Sequence, residues 1–379
     1  MKYCKKCLTT SLRPNAQFDD SGICTACRYS ENTNEKSFLS SLDMLLHMIK
    51  ENKAKRKRHP KYDCIVGVSG GKDSTRQAHW VRDRLGLNPL LVCCGYPPLQ
   101  MTNVGANNLS NLISMGFDVE IFTPAPQSSA RLSLESFRRF GNVAKSTELA
   151  LFSTVPKIAI KKGISLVLWG ENPALQVGDS KTEGVNYFDG SNLRNLNTLV
   201  DGGIEWVFNK VGPDKAQSYI YPSKESFEKA KLDIMYLGPA WDDWSSYGNS
   251  IYAALTGLEL RPDDTQITGD ISGASMLDEE FININMMIRY YKYGFGKATD
   301  VCNEQIRGGI LTREEAINLV DKYDGICDDS LISKYCNYVG ISIVEFWDVV
   351  NKYTNKNIFR IKDKARPTRK FIVGVDFNG

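Results

Sequence analysis

Apolar residues in the first half of this chain fall into short runs separated by longer stretches of helical spacing. "DCIVGV" (Asp63 to Val68) is a brief β-branched run that predicts a buried strand. The residues after it, "DSTRQAHWVRDRLG", place Ala78, Val81 and Leu85 at helical intervals, with Gly86 where a helix should stop. The rhythm repeats. "PLLVCCG" (Pro89 to Gly95) reads as a strand, "NVGANNLSNLISMG" as a helix and "DVEIFTP" as a strand. A longer helical region, "TELALFSTVPKIAIKKG", precedes a further strand in "ISLVLWGENPA". Such alternation predicts an α/β fold built on a doubly wound parallel sheet, with its ligand at the carboxyl ends of the strands. Glu171 and Asn172 leave such an end, and either would stand beside a nucleotide or acceptor.

From about Gly190 the regular beat is lost. The segment "YLGPAWDDWSSYGNS" is rich in Trp, Tyr, Asp and Asn, and "YYKYGFGKATD" (Tyr290 to Asp300) gathers aromatics, two glycines and Lys297. In "NEQIRGGILTREEAINLVDKYDG", Thr312 and Glu315 have capping-box spacing and predict a helix start. Aromatics and arginine beside glycine turns suit a sugar or nucleotide surface, although core packing is their commoner use. The expected organisation is a small module over 1–30, a helical and basic linker over 31–60, an α/β domain over 61–235 and a mixed, mainly helical region over 236–379.

Composition narrows the class. A formal charge of +3 over 379 residues implies no polyanionic partner, so nucleic acid is not expected. The basic run from Lys53 to Pro60 reads as a solvated linker. No signal-peptide pattern or membrane-length apolar run is present, and a soluble cytoplasmic protein with no membrane partner is expected. Isolated cysteines such as Cys64 and Cys302 are then reduced core thiols.

Cys4, Cys7, Cys24 and Cys27 are different, because their spacing is C-x₂-C-x₁₆-C-x₂-C. Two tight turns can each supply two thiolates to one tetrahedral ion, as in a zinc ribbon, and a closed four-thiolate site is structural rather than catalytic. Paired disulfides and an iron–sulfur centre are the alternatives; disulfides fit poorly with a cytoplasmic enzyme.

The stretch "VGVSGGKDST" (Val66 to Thr75) sits between the first strand and its helix. A glycine-rich turn there gathers backbone N–H groups at a helix N-terminus, where the dipole also favours an anion. It is not a Walker loop: Gly67 and Gly71 have three residues between them, and Asp73 follows Lys72. Ser69, Gly70, Gly71, Lys72, Asp73 and Ser74 resemble the SGGxDS signature of the PP-loop ATP pyrophosphatases, with their HUP-like sheet. That resemblance implies cleavage of ATP to AMP and pyrophosphate. The loop amides, Ser69 and Ser74 would cradle pyrophosphate, Lys72 would neutralise it, and Asp73 would help place the Mg²⁺ that accompanies ATP.

Taken in order, the cysteine module, "SGGKDST", "GEN" and the string "YYKYGFGKATD…IRGGILTREEAI…YDG" resemble the bacterial N-acetyl sugar amidotransferases of lipopolysaccharide and surface-glycan biosynthesis, over nearly the whole chain. The resemblance implies an enzyme that turns the acetamido group of an activated, nucleotide-linked sugar into an acetamidino group. Lys297, Asp300 and Arg307 become candidate phosphate or substrate contacts. The segment Cys93 to Pro98 departs from the acidic or aromatic turn expected of the family. His47, His59 and His79 are the three histidines, none in a convincing nucleophile setting, and "GICTA" belongs to the cysteine module. A Cys–His route to glutamine hydrolysis is therefore not evident, and a separate glutaminase or free ammonia should supply nitrogen. The competing reading is a PP-loop tRNA thiolase with a zinc ribbon, which would generally need further paired cysteines.

Overall fold

The computed structural model describes residues 1–33, 35–55, 59, 61–170, 203–262, 265–361 and 366–378. Its centre is a five-stranded sheet in the order β3-β2-β1-β4-β5, with every neighbouring pair parallel. The strands are β1 (Cys64–Val68), β2 (Pro89–Cys94), β3 (Val119–Phe122), β4 (Leu166–Trp169) and β5 (Asp233–Tyr236). The first four fall where the apolar runs predicted them. β5 comes from the part of the chain where no strand–helix rhythm was evident. Its four residues, Asp-Ile-Met-Tyr, are too few to register as a pattern, and pairing with β4 stabilises them as a strand.

Period-two alternation gives the sheet two apolar faces. Val66, Val68, Leu91 and Leu168 pack with Ala78, Val81, Leu109 and Leu112 on one side. Ile65, Val92, Val167 and Ile234 pack with Val155, Ile158 and Ala159 on the other. The first side is covered by α2 (Glu35–Lys55), α3 (Lys72–His79) and α4 (Asn103–Ser114); the second by α6 (Lys145–Lys162). Between them in the chain, α5 (Pro126–Phe140) packs beside α6. Helices on both faces make the sheet doubly wound.

Within the segment read as a helical and basic linker, residues 35–55 form a helix, α2. Leu45 and Ile49 of α2 are buried against the sheet, and Asn52 donates to Ser165 O and Asp233 Oδ2 at 3.2 and 2.9 Å. Of the basic run, Lys53 pairs with Asp63 at 3.3 Å. Composition alone could not reveal this, because α2's apolar positions are spread among many polar ones.

The C-terminal region is a helical layer, with helices Ile282–Tyr293, Lys297–Arg307, Arg313–Tyr323, Asp329–Val339 and Ile343–Tyr353. Thr312 and Glu315 form the anticipated capping box. Tyr290 and Tyr291 pack into the core with Phe359 of a short hairpin, β6 (Phe359–Arg360) and β7 (Thr368–Arg369). Tyr3 and Leu8 belong to this same core, and Leu8 N donates to Asn303 Oδ1 at 2.7 Å, so the cysteine module is docked on the helical layer. Among the described residues no helix is long and apolar enough to cross a membrane.

Candidate functional site

The glycine-rich loop leaves β1 where the strand order reverses, since β1 pairs with β2 on one side and β4 on the other. A switch point of this kind leaves a crevice beyond the carboxyl ends of the strands. The loop's conformation depends on Gly70, which sits at φ +86°. A Cβ there would lie 2.9 Å from the backbone nitrogen of Leu109 in α4. Only glycine combines that φ with so close an approach.

Gly71 precedes α3 in an extended conformation, and no side chain caps the helix. The first helical amide bond runs from Thr75 N to Gly71 O at 3.0 Å. The amides of Lys72, Asp73 and Ser74 therefore have no intrahelical partner, and all three residues line the crevice. Ser69 Oγ accepts from Gly71 N, and Ser74 Oγ accepts from Ser69 N, both at 3.3 Å. The two hydroxyls thus shape the loop. Lys72 is buried and ion-pairs with Asp73. Asp73 Oδ1 also accepts from Asn249 Nδ2 at 2.7 Å, and Asn249 Oδ1 in turn accepts from Arg76 at 2.8 Å. Asn249 lies on the helix Ser246–Leu255, so that helix orients Asp73.

The loop forms the polar end of a cavity of about 320 Å³. Val92, Cys94, Leu151, Val155 and Trp169 line its apolar end, and Gly170 closes it beside β4. A side chain at Gly170 would strike Gln77, whose amide donates to Leu168 O at 2.7 Å. Ala274 to Asp278 and Lys297, from much later in the chain, complete the lining. Asp278 is a residue that sequence reasoning missed. Burial pushes its carboxyl above the usual range, against opposing hydrogen bonds from Tyr96 and Ser69. Tyr96 OH reaches it at 3.1 Å. Gly105 makes room, since a Cβ there would sit 2.5 Å from the Asp278 Cα. The Gly/Ser-rich "ISGASMLDEE" signals a turn, but nothing local tells that the turn meets the loop.

The other candidates separate. Lys297 begins its helix and lines the same cavity as the loop. Asp300, one turn on, faces the cysteine module, pairing with Arg13 and, at 2.5 Å, with Arg289. Burial pushes its carboxyl up, but Arg289, Arg13 and Lys297 outweigh that and hold it well below the usual carboxylate range. Arg307 lies outside the large cavity; with Asp300 it lines a small pocket against the cysteine module, it also lines the space bounded by Trp241 and Trp244, and its buried Nε has no hydrogen-bond partner among the described residues. Glu171 and Asn172 lie outside the described residues.

The sulfur atoms of Cys4, Cys7, Cys24 and Cys27 all lie within 4.8 Å of one another and are buried. Thr9 N donates to Cys7 Sγ at 3.4 Å and Cys24 N to Cys4 Sγ at 3.3 Å, contacts that favour thiolates. Four convergent soft donors fit a metal ion such as zinc. Thr25–Asn32, helix α1, starts directly after Cys24 and carries Cys27 into the cluster.

Residues 276–371 match the family described as LPS biosynthesis protein WbpG-like, C-terminal domain. The match supports a bacterial lipopolysaccharide-biosynthesis family and takes in both Asp278 and Lys297 of the cavity's lining. No curated protein matches the chain.

Proposed function

We propose that this chain is the synthetase subunit of an ATP-dependent N-acetyl sugar amidotransferase of lipopolysaccharide or related surface-glycan biosynthesis. The observation that carries the reading is a glycine-rich loop with a buried lysine at a helix N-terminus, lining a cavity that Met276, Leu277, Asp278 and Lys297 of the segment matched by the lipopolysaccharide family also line.

As a PP-loop, Ser69 to Ser74 would hold the β- and γ-phosphates of Mg-ATP, with adenine toward Val92, Leu151 and Trp169. An amide carbon is a poor electrophile with a poor leaving group, but its oxygen is nucleophilic. Attack by the acetamido oxygen on the α-phosphorus breaks the bond to pyrophosphate and gives an imidoyl adenylate. Ammonia then displaces AMP and leaves an amidine. Lys72 neutralises the charge that develops on departing pyrophosphate, and Lys297 adds a second cation to the cavity. Asn249 holds Asp73 in place for Mg²⁺. The four module cysteines would hold a structural zinc ion, which would stiffen a module that docks through Leu8 N on Asn303 of the helix that carries Lys297. A separate glutaminase, or free ammonia, provides the nitrogen.

The tRNA thiolase reading is supported less. It needs paired, reactive cysteines, but alternation along β2 sends Cys93 and Cys94 to opposite faces of the sheet. Burial pushes the Cys94 thiol up to about 11. The test is AMP release and amidine formation by the purified chain, screened over nucleotide-linked N-acetyl sugars with ammonium chloride. Sulfur transfer to tRNA, or no AMP with any such sugar, would reject the amidotransferase.

A further inference from the structure

Beyond the phosphate cavity the Lys297–Arg307 helix carries Lys297, Val301 and Glu304 at i, i+4 and i+7, on one face. Lys297 lines the phosphate cavity. Val301 and Glu304 line a second cavity of about 300 Å³, and Ala274 forms part of both walls. Seven residues of helix span about 10 Å, so the two cavities lie a short way apart along this face, with Ala274 between them. Ser250 and Ile251 of the helix Ser246–Leu255 form the facing wall. Ile251, Leu260 and Ile310 rim the outer side and are each nearly half exposed.

The Glu304 carboxylate has no hydrogen bond or ion pair among the described residues. Burial raises its affinity for a proton; Lys297, Lys72 and Arg307 oppose this and Asp73 reinforces it. Tyr247 of the facing helix, Tyr29 of α1 and Arg307 are the other titratable side chains on the cavities it lines. A largely apolar passage solvates ammonium poorly and neutral ammonia adequately. Lys297 and Lys72, which line the neighbouring phosphate cavity, repel a cation but not a neutral molecule.

We propose that this second cavity is the inlet for the nitrogen nucleophile, and that Glu304 removes a proton from ammonium there before ammonia passes Ala274 into the phosphate cavity. The inference rests on the amidotransferase reading. In the step, one ammonium N–H bond breaks, its electron pair stays on nitrogen, and the proton bonds to a Glu304 carboxylate oxygen. The carboxylic acid later returns that proton to solvent through the outer mouth.

Two measurements test this. With a nucleotide-linked N-acetyl sugar that supports turnover, Glu304→Gln raises the KM for ammonium about tenfold near pH 7. The gap narrows to about twofold near pH 9, where free ammonia is abundant, and Glu304→Asp restores much of the neutral-pH rate. Ser250→Trp, which fills the passage, raises the KM for ammonium at both pH values while the KM for ATP stays within about twofold. Separately, crystals of the full chain soaked in thallium(I) acetate, an ammonium stand-in with an anomalous signal, show a peak at Glu304 that Glu304→Gln abolishes. Wild-type ammonium KM values in Glu304→Gln and Ser250→Trp, or no thallium peak, would overturn the inlet. Failure of the wild type to release AMP with ammonium and any sugar would instead remove the amidotransferase reading, and with it the nitrogen role of a thallium-binding Glu304.

Discussion

Replacing Gly70 by alanine tests the loop at its tightest point. At φ +86° an alanine pays a left-handed backbone penalty of about 1–2 kcal/mol. Its Cβ would also lie 2.9 Å from Leu109 N and 3.2 Å from the Asn108 carbonyl carbon, both backbone atoms of α4 that cannot rotate away. Overpacking of this kind adds about 1–3 kcal/mol, so the total is about 2–5 kcal/mol. Gly71→Ala is the control. Gly71 has φ −74°, and its Cβ would meet only Ser69 Oγ, at 3.3 Å. A hydroxyl turns easily, so the cost there is below about 1 kcal/mol. With an unfolding entropy of about 2.1 cal/mol/K per residue over 379 residues, calorimetric melting should place Gly70→Ala roughly 3–6 °C below wild type and Gly71→Ala within about 1 °C. Under the proposed function, Gly70→Ala should also weaken any stabilisation by added Mg-ATP, because its Cβ would push the loop away from α4. Equal melting temperatures for the two variants, or a lower one for Gly71→Ala, would refute the account of the loop.

The remaining expectations are simpler. Elemental analysis should find about one zinc per chain, and Cys24→Ser should lose the metal and melt lower; full-occupancy iron with a charge-transfer band would exclude zinc. Lys72→Ala should lower AMP formation about a hundredfold or more, and an unchanged rate would take the loop out of the reaction. Asp300→Asn should destabilise the chain by about 3 kcal/mol at neutral pH, because Arg13 and Arg289 lose their shared partner. The folded-state pKa of Asp300 is depressed, so its contribution is present above the ordinary carboxylate pKa and is lost as pH falls through and below that range. Acid melting curves of wild type and Asp300→Asn should therefore converge, and parallel curves would reject the ion-pair explanation. With glutamine as the sole nitrogen source the single chain should form no amidine until a glutaminase is added, as mass spectrometry would show.

Several parts of this protein were legible one segment at a time. The β1 run, the loop from Ser69 to Ser74 and the start of α3 are contiguous, and strand propensity, glycine freedom and helix capping act over a few residues. The paired C-x₂-C turns and the Thr312–Glu315 capping box are likewise local, and the structure forms both. Lys297 could be nominated from its glycine-rich surroundings, but its helix alone did not reveal that it turns to the cavity while Asp300 turns to Arg13. That division follows from which neighbours pack on each side of the helix. Asp278 meets the loop only because the chain returns some two hundred residues later, and α2 covers the sheet only because Leu45 and Ile49 find an open apolar face. β5 exists because β4 offers an unpaired edge to a run too short to announce itself. Local chemistry is written in neighbouring residues, whereas a cavity is made by burial that joins residues remote in sequence, and its full lining is decided only when the whole chain has packed.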